Sequence, residues 1–172
     1  MRARADAEKV RSLARALGGV GVEARLYLTG GATAVIEGWR DSTIDVDVRL
    51  EPDSDPLLRR IAEVKNELDL NVELASPPDF IPELPAWRER SPFLFREGQL
   101  DVHHFDPYSQ ALSKLERGFD LDLEDVQAML ERKMVEPALL RDLFEQVEPQ
   151  LYRFPAIDPA SFRSRVEQAV PI

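Results

Sequence analysis

The chain has 172 residues, of which 44% are hydrophobic, and this is enough for one domain with a core and a small helical appendage rather than two full domains. Its 22 basic and 32 acidic side chains give a net charge of −10, which disfavours a generic polyanion binder, so DNA is not an expected partner. The absence of cysteine excludes disulfides, thiolate zinc sites and cysteine nucleophiles, so any metal must use carboxylates or the two histidines.

The chain carries no recognisable targeting or membrane signal. Residues 1–9 lack the apolar stretch of a signal peptide, and no run approaches the about 20 apolar residues that cross a bilayer. We therefore expect no membrane partner and a cytoplasmic location.

Hydrophobic periodicity and turn residues divide the first half of the chain into alternating helices and strands. In chain order the predicted elements are a helix over 6–17, a strand over 25–29 that runs into Gly30-Gly31, a helix from residue 32, a strand over 44–50, a helix over about 57–68 and a strand over 70–74. Asp55 and Pro56 suit the N-cap and the first helical position of the third helix.

The second half begins with a proline-rich stretch over 77–92 that no regular element survives intact. Two short strands, 93–96 and 100–105, then predict a hairpin, and four helical segments follow from Asp106-Pro107 onwards. The sequence therefore predicts an α/β (α+β) fold in which a mixed β-sheet is flanked by helices. We expect a core over 1–106 and a helical C-terminal subdomain over 107–172, packed together as one compact unit.

Two aspartates stand out in the predicted strand 44–50. Asp45 and Asp47 are one residue apart, so a strand directs both carboxylates to one face while Ile44, Val46 and Val48 cover the opposite, buried face. Two carboxylates held this close repel each other unless a cation lies between them, and Mg²⁺ or Mn²⁺ would remove that penalty. The alternative is an edge strand whose acidic residues face water.

The glycine pair before this strand is a second candidate feature. Gly30 and Gly31 precede a helix, where unpaired backbone N–H groups and the missing side chains allow a phosphate to approach, and the Thr33 hydroxyl could add a contact. A glycine turn of this kind is also a common structural feature. The 13 residues between Gly31 and Asp45 allow one helix and a return to an adjacent strand, so the two features could face each other.

These motifs resemble the minimal nucleotidyltransferase branch of the DNA polymerase β-like superfamily, whose hallmark is a Gly-Gly or Gly-Ser, a short helix and then Asp-x-Asp. The matching segments are Thr29-Gly30-Gly31-Ala32-Thr33-Ala34 and Arg40-Asp41-Ser42-Thr43-Ile44-Asp45-Val46-Asp47. Within that superfamily the pattern looks most like the AbiEii-type nucleotidyltransferases associated with toxin-antitoxin and phage-defence loci.

The resemblance implies further site residues. Asp101 would be the third carboxylate, a metal ligand and the general base, while Lys114 on the following helix would neutralise the triphosphate or, alternatively, pair with a nearby acid. Asp122 and Asp125 resemble the acidic residues of the next helix, where capping the helix N-terminus is the alternative role. Arg40 would either steady the Asp-x-Asp turn or contact phosphate.

The resemblance also implies an activity. A metal-dependent nucleotidyltransferase would bind a nucleoside triphosphate, ATP among the candidates, and transfer the nucleoside monophosphate to a tRNA or to a partner toxin or antitoxin protein, releasing pyrophosphate. One alternative is a non-catalytic nucleotidyltransferase-like module that acts by binding a partner protein. A metal-dependent phosphohydrolase ranks last, because His103 and His104 offer few histidine ligands.

Overall fold

The computed structural model describes residues 2–172, so Met1, the first residue of the N-terminal stretch considered above, lies outside the described residues. The strands are β1 (Ala24–Thr29), β2 (Asp45–Glu51), β3 (Asn71–Glu73), β4 (Phe93–Glu97) and β5 (Leu100–His104). The helices are α1 (Ala7–Gly18), α2 (Gly31–Glu37), α3 (Asp55–Glu67), α4 (Pro107–Arg117), α5 (Asp120–Glu131), α6 (Pro137–Val147) and α7 (Pro159–Ala169). Short 3-10 turns lie at Pro77–Asp79 and Glu148–Arg153.

This architecture confirms the predicted fold class, with a mixed sheet, flanking helices and a helical C-terminal part. Two local predictions were wrong by one position. The N-cap of α3 is Ser54, so Asp55 is the first helical residue. Ile44 lies before β2 and is 58% exposed instead of covering the buried face, because the strand begins only at Asp45.

The sheet has the order β3-β2-β1-β5-β4. The central strand β1 runs antiparallel to β2 and parallel to β5, while β3 is parallel to β2 and β4 is antiparallel to β5. Asp47 is opposite Thr29 on β1 and opposite Glu73 on β3. This register decides which polar side chains meet on each face.

By its internal contacts the chain divides into two compact units, and the first comprises the chain up to Ser76 together with Ser91–Phe105. Its hydrophobic core lies on one face of the sheet, where alternate residues of the strands pack on α1 and α3. The core-facing residues include Leu26, Leu28, Val46, Val48, Leu100 and Val102 from the sheet, with Leu13, Leu17, Leu57 and Val64 from the helices. Alternation therefore leaves Asp45, Asp47 and their neighbours on the opposite face.

The second unit comprises Pro77–Arg90 and Asp106–Ile172 and contains α4 to α7. Asp106 is fully buried and caps α4, since its carboxylate accepts the Tyr108 N–H at 3.0 Å. The same carboxylate forms an ion pair with Arg90, with a separation of 2.8 Å between Nη2 and Oδ2. This pair ties the irregular segment before β4 to the first helix of the unit.

None of the helices in the described part of the chain is both long enough and apolar enough to cross a membrane.

Candidate active site

Asp45 and Asp47 lie on β2 with Val46 between them, and both side chains are partly exposed while Val46 is buried. The strand therefore projects both carboxylates from the face opposite the hydrophobic core, as its alternation predicts. The arrangement is not an edge strand in water, because β2 is flanked by β1 on one side and β3 on the other.

The carboxylate of Asp45 is held by a neighbouring strand. Asn71 is its register partner on β3, and the Asn71 side-chain amide donates a hydrogen bond to Asp45 Oδ1. The main chain of Asp45 is held separately, since the Thr43 hydroxyl donates to its carbonyl oxygen at 2.9 Å. Asp45 is thus fixed at both its backbone and its side chain.

Asp47 faces the glycine turn. A Cβ added to Gly30 would lie 3.4 Å from Asp47 Oδ2, and Gly30 adopts a φ of 59°, which side-chain-bearing residues rarely adopt. Glycine at this position therefore serves two needs, the turn itself and the open space beside the carboxylate. The structure brings the glycine turn and the Asp-x-Asp strand together.

Gly31 is required by packing rather than by its backbone angles. A Cβ at Gly31 would collide with the Thr43 side chain, so the first residue of α2 and the residue two before Asp45 are in close contact. Thr43 is itself fixed by a pair of backbone hydrogen bonds with Ala5, of 2.7 and 2.8 Å. The spacing between the glycine turn and β2 therefore depends on Thr43.

Thr33 does not offer its hydroxyl to a phosphate. Its side chain is 1% exposed, its hydroxyl donates to the Leu28 carbonyl oxygen at 3.2 Å, and it also bonds to His104 Nδ1 at 3.0 Å. The predicted phosphate contact is therefore not supported, because the third residue of α2 turns towards β1 and β5.

Both histidines are buried within the first unit. His104 is fully buried, and burial lowers its pKa to about 4 despite the Glu37 carboxylate 3.5 Å from Nε2. His103 Nδ1 bonds to the Ser91 carbonyl oxygen at 2.9 Å. Neither arrangement supports the phosphohydrolase alternative, which needs histidine ligands beside the carboxylates.

Arg40 follows the C-terminal end of α2, after the Gly38 cap, whereas the glycine turn is at the other end of that helix. Its backbone N–H contributes a weak bond of 3.4 Å to the Ala34 carbonyl oxygen, and its side chain is partly buried. Arg40 therefore lies in the segment that leads into β2 and not at the glycine turn of Gly30 and Gly31.

Asp101 shares the sheet face of Asp47 but lies at the other end of the strands. Its register partner on β1 is Arg25, whereas that of Asp47 is Thr29. Four residues along a strand correspond to about 13 Å. Asp101 instead pairs with Arg96 on the hairpin, with 3.6 Å between Nη1 and Oδ1. The structure does not bring the predicted third carboxylate to the other two.

Lys114 is in the second unit and is buried, with 5% of its surface exposed. Its ammonium lies 2.7 Å from Asp125 Oδ2 and 3.9 Å from Asp122 Oδ1, and Arg117 pairs with Asp122 as well. The N-cap of α5 is Phe119, and no side-chain capping hydrogen bond forms there, but Asp122 lies in the first turn of α5, where a carboxylate stabilises the helix N-terminus. Both aspartates also neutralise the cations of α4.

Residues 8–158 match the model of a family described as a nucleotidyltransferase of unknown function (DUF6036), which covers most of the chain. The chain belongs to this family. No curated protein and no solved structure matches the chain.

Two polar neighbours of Asp45 and Asp47 were not predicted from the sequence. Asn71 and Glu73 on β3 are the register partners of Asp45 and Asp47, so they share the same sheet face. A signal was present, since Asn71-Val72-Glu73 repeats the polar-apolar-polar alternation of β2. Only the parallel pairing of the two strands shows that the two patterns meet.

The donor set of this nucleotidyltransferase fits a hard divalent cation. Asp45 and Asp47 supply two carboxylates on one face, and the missing side chain of Gly30 leaves space beside the second. Within residues 2–172, no group of three or more histidine and acidic side chains is close enough to hold a metal ion. Two carboxylates are a sufficient protein contribution for magnesium, which completes its shell with water and substrate phosphates.

Proposed function

We propose that this nucleotidyltransferase transfers a nucleoside monophosphate from a nucleoside triphosphate to a macromolecular acceptor, using Mg²⁺ or Mn²⁺. One observation carries the proposal: Asp45 and Asp47 project from one face of β2, and Asp47 lies against the glycine turn at Gly30. Such a site suits a reaction that depends on positioning and charge neutralisation rather than on a covalent nucleophile.

The proposed roles follow from the contacts. A bound divalent cation would neutralise the charge that develops on the transferred phosphoryl group. Asp45 and Asp47 would hold that cation, and the open backbone at Gly30 would admit the phosphates next to them, whereas the space beside Gly31 is filled by Thr43. Asp101 is left out of the proposed set because its register separates it from the pair.

Two predicted phosphate ligands are also left out. The Thr33 hydroxyl is bonded inside the first unit, and the Lys114 ammonium is buried between Asp122 and Asp125 in the second. The proposed site therefore carries fewer cationic contacts than the resemblance implies. We expect it to depend strongly on the divalent cation for triphosphate binding, since no lysine of the proposed set supplies that charge.

We further propose a protein acceptor. The net charge of −10 disfavours the phosphate contacts that tRNA binding requires. In the one modestly basic helix, α1, Arg15 pairs with Glu8. A protein acceptor accords with a role in a toxin-antitoxin or phage-defence system, which the resemblance to AbiEii-type and polymerase β-like enzymes suggests.

The test is a labelling reaction. Purified protein, Mg²⁺ and each of the four α-labelled nucleoside triphosphates are incubated with a cell extract, and label in protein and in RNA is measured separately. We expect label in protein from the unsubstituted chain and none from Asp45→Asn or Asp47→Asn. Asp53→Asn is the matched control, because Asp53 is an exposed aspartate just beyond β2.

The outcomes separate the candidate functions. Label in tRNA, together with steeply salt-dependent tRNA binding, would replace the proposed acceptor. If no triphosphate binds and nothing is labelled, the catalytic proposal fails and the non-catalytic binding module becomes the better hypothesis. Equal labelling by the Asp45→Asn and Asp53→Asn proteins would show that the chemistry takes place elsewhere.

A further inference from the structure

Asp45 and Asp47 differ in what surrounds their carboxylates, although they are two residues apart on one strand. An amide donor on β3 contacts Asp45, whereas the register neighbours of Asp47 are Thr29 and Glu73, neither of which is a side-chain amide. The difference arises from the sheet order, because β3 begins at Asn71, level with Asp45. Strand β3 therefore supplies a side-chain amide to the Asp45 carboxylate.

We infer that Asn71 is a positioning residue that sets the orientation of the Asp45 carboxylate for cation binding. The inference rests on the proposed function, since it assigns Asn71 to the same site. An ionised carboxylate only accepts hydrogen bonds, so the amide nitrogen of Asn71 is the atom that faces it. With Oδ1 engaged by this amide, Oδ2 is the oxygen that Asp45 presents to a cation.

The backbone of Asp45 is held by other contacts, so only the orientation of its side chain depends on the Asn71 amide. Its backbone is already fixed by the ladder to Asn71 and by the Thr43 hydroxyl bonded to its carbonyl oxygen at 2.9 Å. The start of β3 is fixed as well, because Arg2 donates to the Leu70 carbonyl oxygen at 2.8 Å. The Asn71 amide therefore projects from a rigid position, which is what orientation of a ligand requires.

A hydrogen-bonding partner raises metal affinity to the extent that it restricts the orientation of the carboxylate that binds the metal. Removal of a hydrogen-bonding partner of a metal ligand typically lowers metal affinity about 10- to 100-fold. We expect Asn71→Leu, which keeps a similar volume but has no donor, to weaken Mn²⁺ binding within that range. Asn71→Gln, which keeps an amide, should recover most of the affinity.

The experiment measures Mn²⁺ affinity by electron paramagnetic resonance for the unsubstituted chain and for both Asn71 variants. Gln127→Leu is the control for loss of an amide, because the exposed Gln127 side chain bonds to Glu131 within α5 and takes no part in fixing β3. In an Asp45→Asn background, Asn71→Leu should produce no further loss. A thermal melt of each variant identifies any that fails to fold, and Asn71→Ala replaces Asn71→Leu in that case.

A second readout needs no metal. The side-chain amide resonances of Asn71 in a ¹⁵N correlation spectrum should shift in Asp45→Asn and stay in place in Asp47→Asn. Failure of the unsubstituted chain to bind Mn²⁺ would overturn the proposed function and this inference together. Binding by the unsubstituted chain that is equally tight in Asn71→Leu would overturn this inference alone. Additive losses in the double variant would likewise overturn it.

Discussion

Replacement of Lys114 by methionine tests whether this lysine serves the fold or a phosphate. In the structure its ammonium lies 2.7 Å from Asp125 Oδ2 inside the second unit, and only 6% of the lysine side chain and 1% of the aspartate side chain are exposed. Methionine retains most of the length and apolar stem of lysine but removes the charge. The substitution therefore leaves the Asp125 carboxylate buried without its cation.

The magnitude follows from this burial. Loss of one partner of a buried ion pair typically costs 3–5 kcal/mol, because the other charge stays buried without compensation. Asp122 keeps its pairing with Arg117, so only Asp125 loses its nearest cation, and we take about 3 kcal/mol. For a chain of this size each kcal/mol lowers the melting temperature by about 2–4 °C, so we expect a fall of roughly 6–12 °C.

The assay is thermal and urea unfolding followed by circular dichroism. Lys133→Met is the control, since Lys133 is exposed, and we expect a change within about 0.5 kcal/mol. The double variant Lys114→Met with Asp125→Leu should recover much of the loss, because replacing both partners of a buried pair by apolar residues is often neutral.

A Lys114→Met protein that melts within about 1 °C of the unsubstituted chain would refute this reasoning. If that protein also lost triphosphate binding, the phosphate role implied by the family resemblance would be restored. A large loss of stability with triphosphate affinity unchanged at a temperature where the variant is folded would support the structural role.

Three further predictions concern the backbone and the buried histidine. Gly118→Ala should destabilise the chain by about 2–4 kcal/mol, because Gly118 has a φ of +72° and a Cβ there would lie 2.6 Å from Arg165 Cδ. Gly31→Ala should cost about 1–3 kcal/mol through collision with Thr43, measured by urea unfolding. Burial lowers the pKa of His104 from 6.5 to about 4, so the unfolded chain binds this proton more readily than the folded one and stability falls as the pH is lowered between these values. From pH 7 to pH 5 the chain should lose about 2 kcal/mol more than His104→Gln.

Each of these predictions is checked against a second variant or against the unsubstituted chain. Gly38→Ala also has a positive φ, of +93°, but no atom lies within 4 Å of its Cβ, so it should show only the backbone cost of about 1–2 kcal/mol. Gly19→Ala makes ordinary contacts of 3.4 Å and should be near neutral. Equal losses for Gly118→Ala and Gly38→Ala would contradict the proposed collision. An unchanged pH dependence in His104→Gln would contradict the burial argument.

Local patterns in the sequence were sufficient for the order of helices and strands and for the shared face of Asp45 and Asp47 on β2. The alternation in residues 45–51 and the glycine turn at 30–31 each depend on interactions within a few residues, so the sequence indicates them directly. Element boundaries were less accurate: the N-cap of α3 was misplaced by one residue, and Ile44 lies outside β2. At such ends one hydrogen bond decides the assignment.

Only the tertiary structure decided which distant residues join the pair. Asp101 faces the same side of the sheet as Asp47, as predicted, but it lies four register positions away along the strands. The pairing of β5 with β1 determines this position. Asn71 reaches Asp45 because β3 pairs with β2 in parallel. Lys114 is buried because α5 packs on α4 with two aspartates turned inward. Strand register and helix packing depend on residues that are far apart in the sequence. The local sequence therefore shows which side chains are present but not which distant residues they contact.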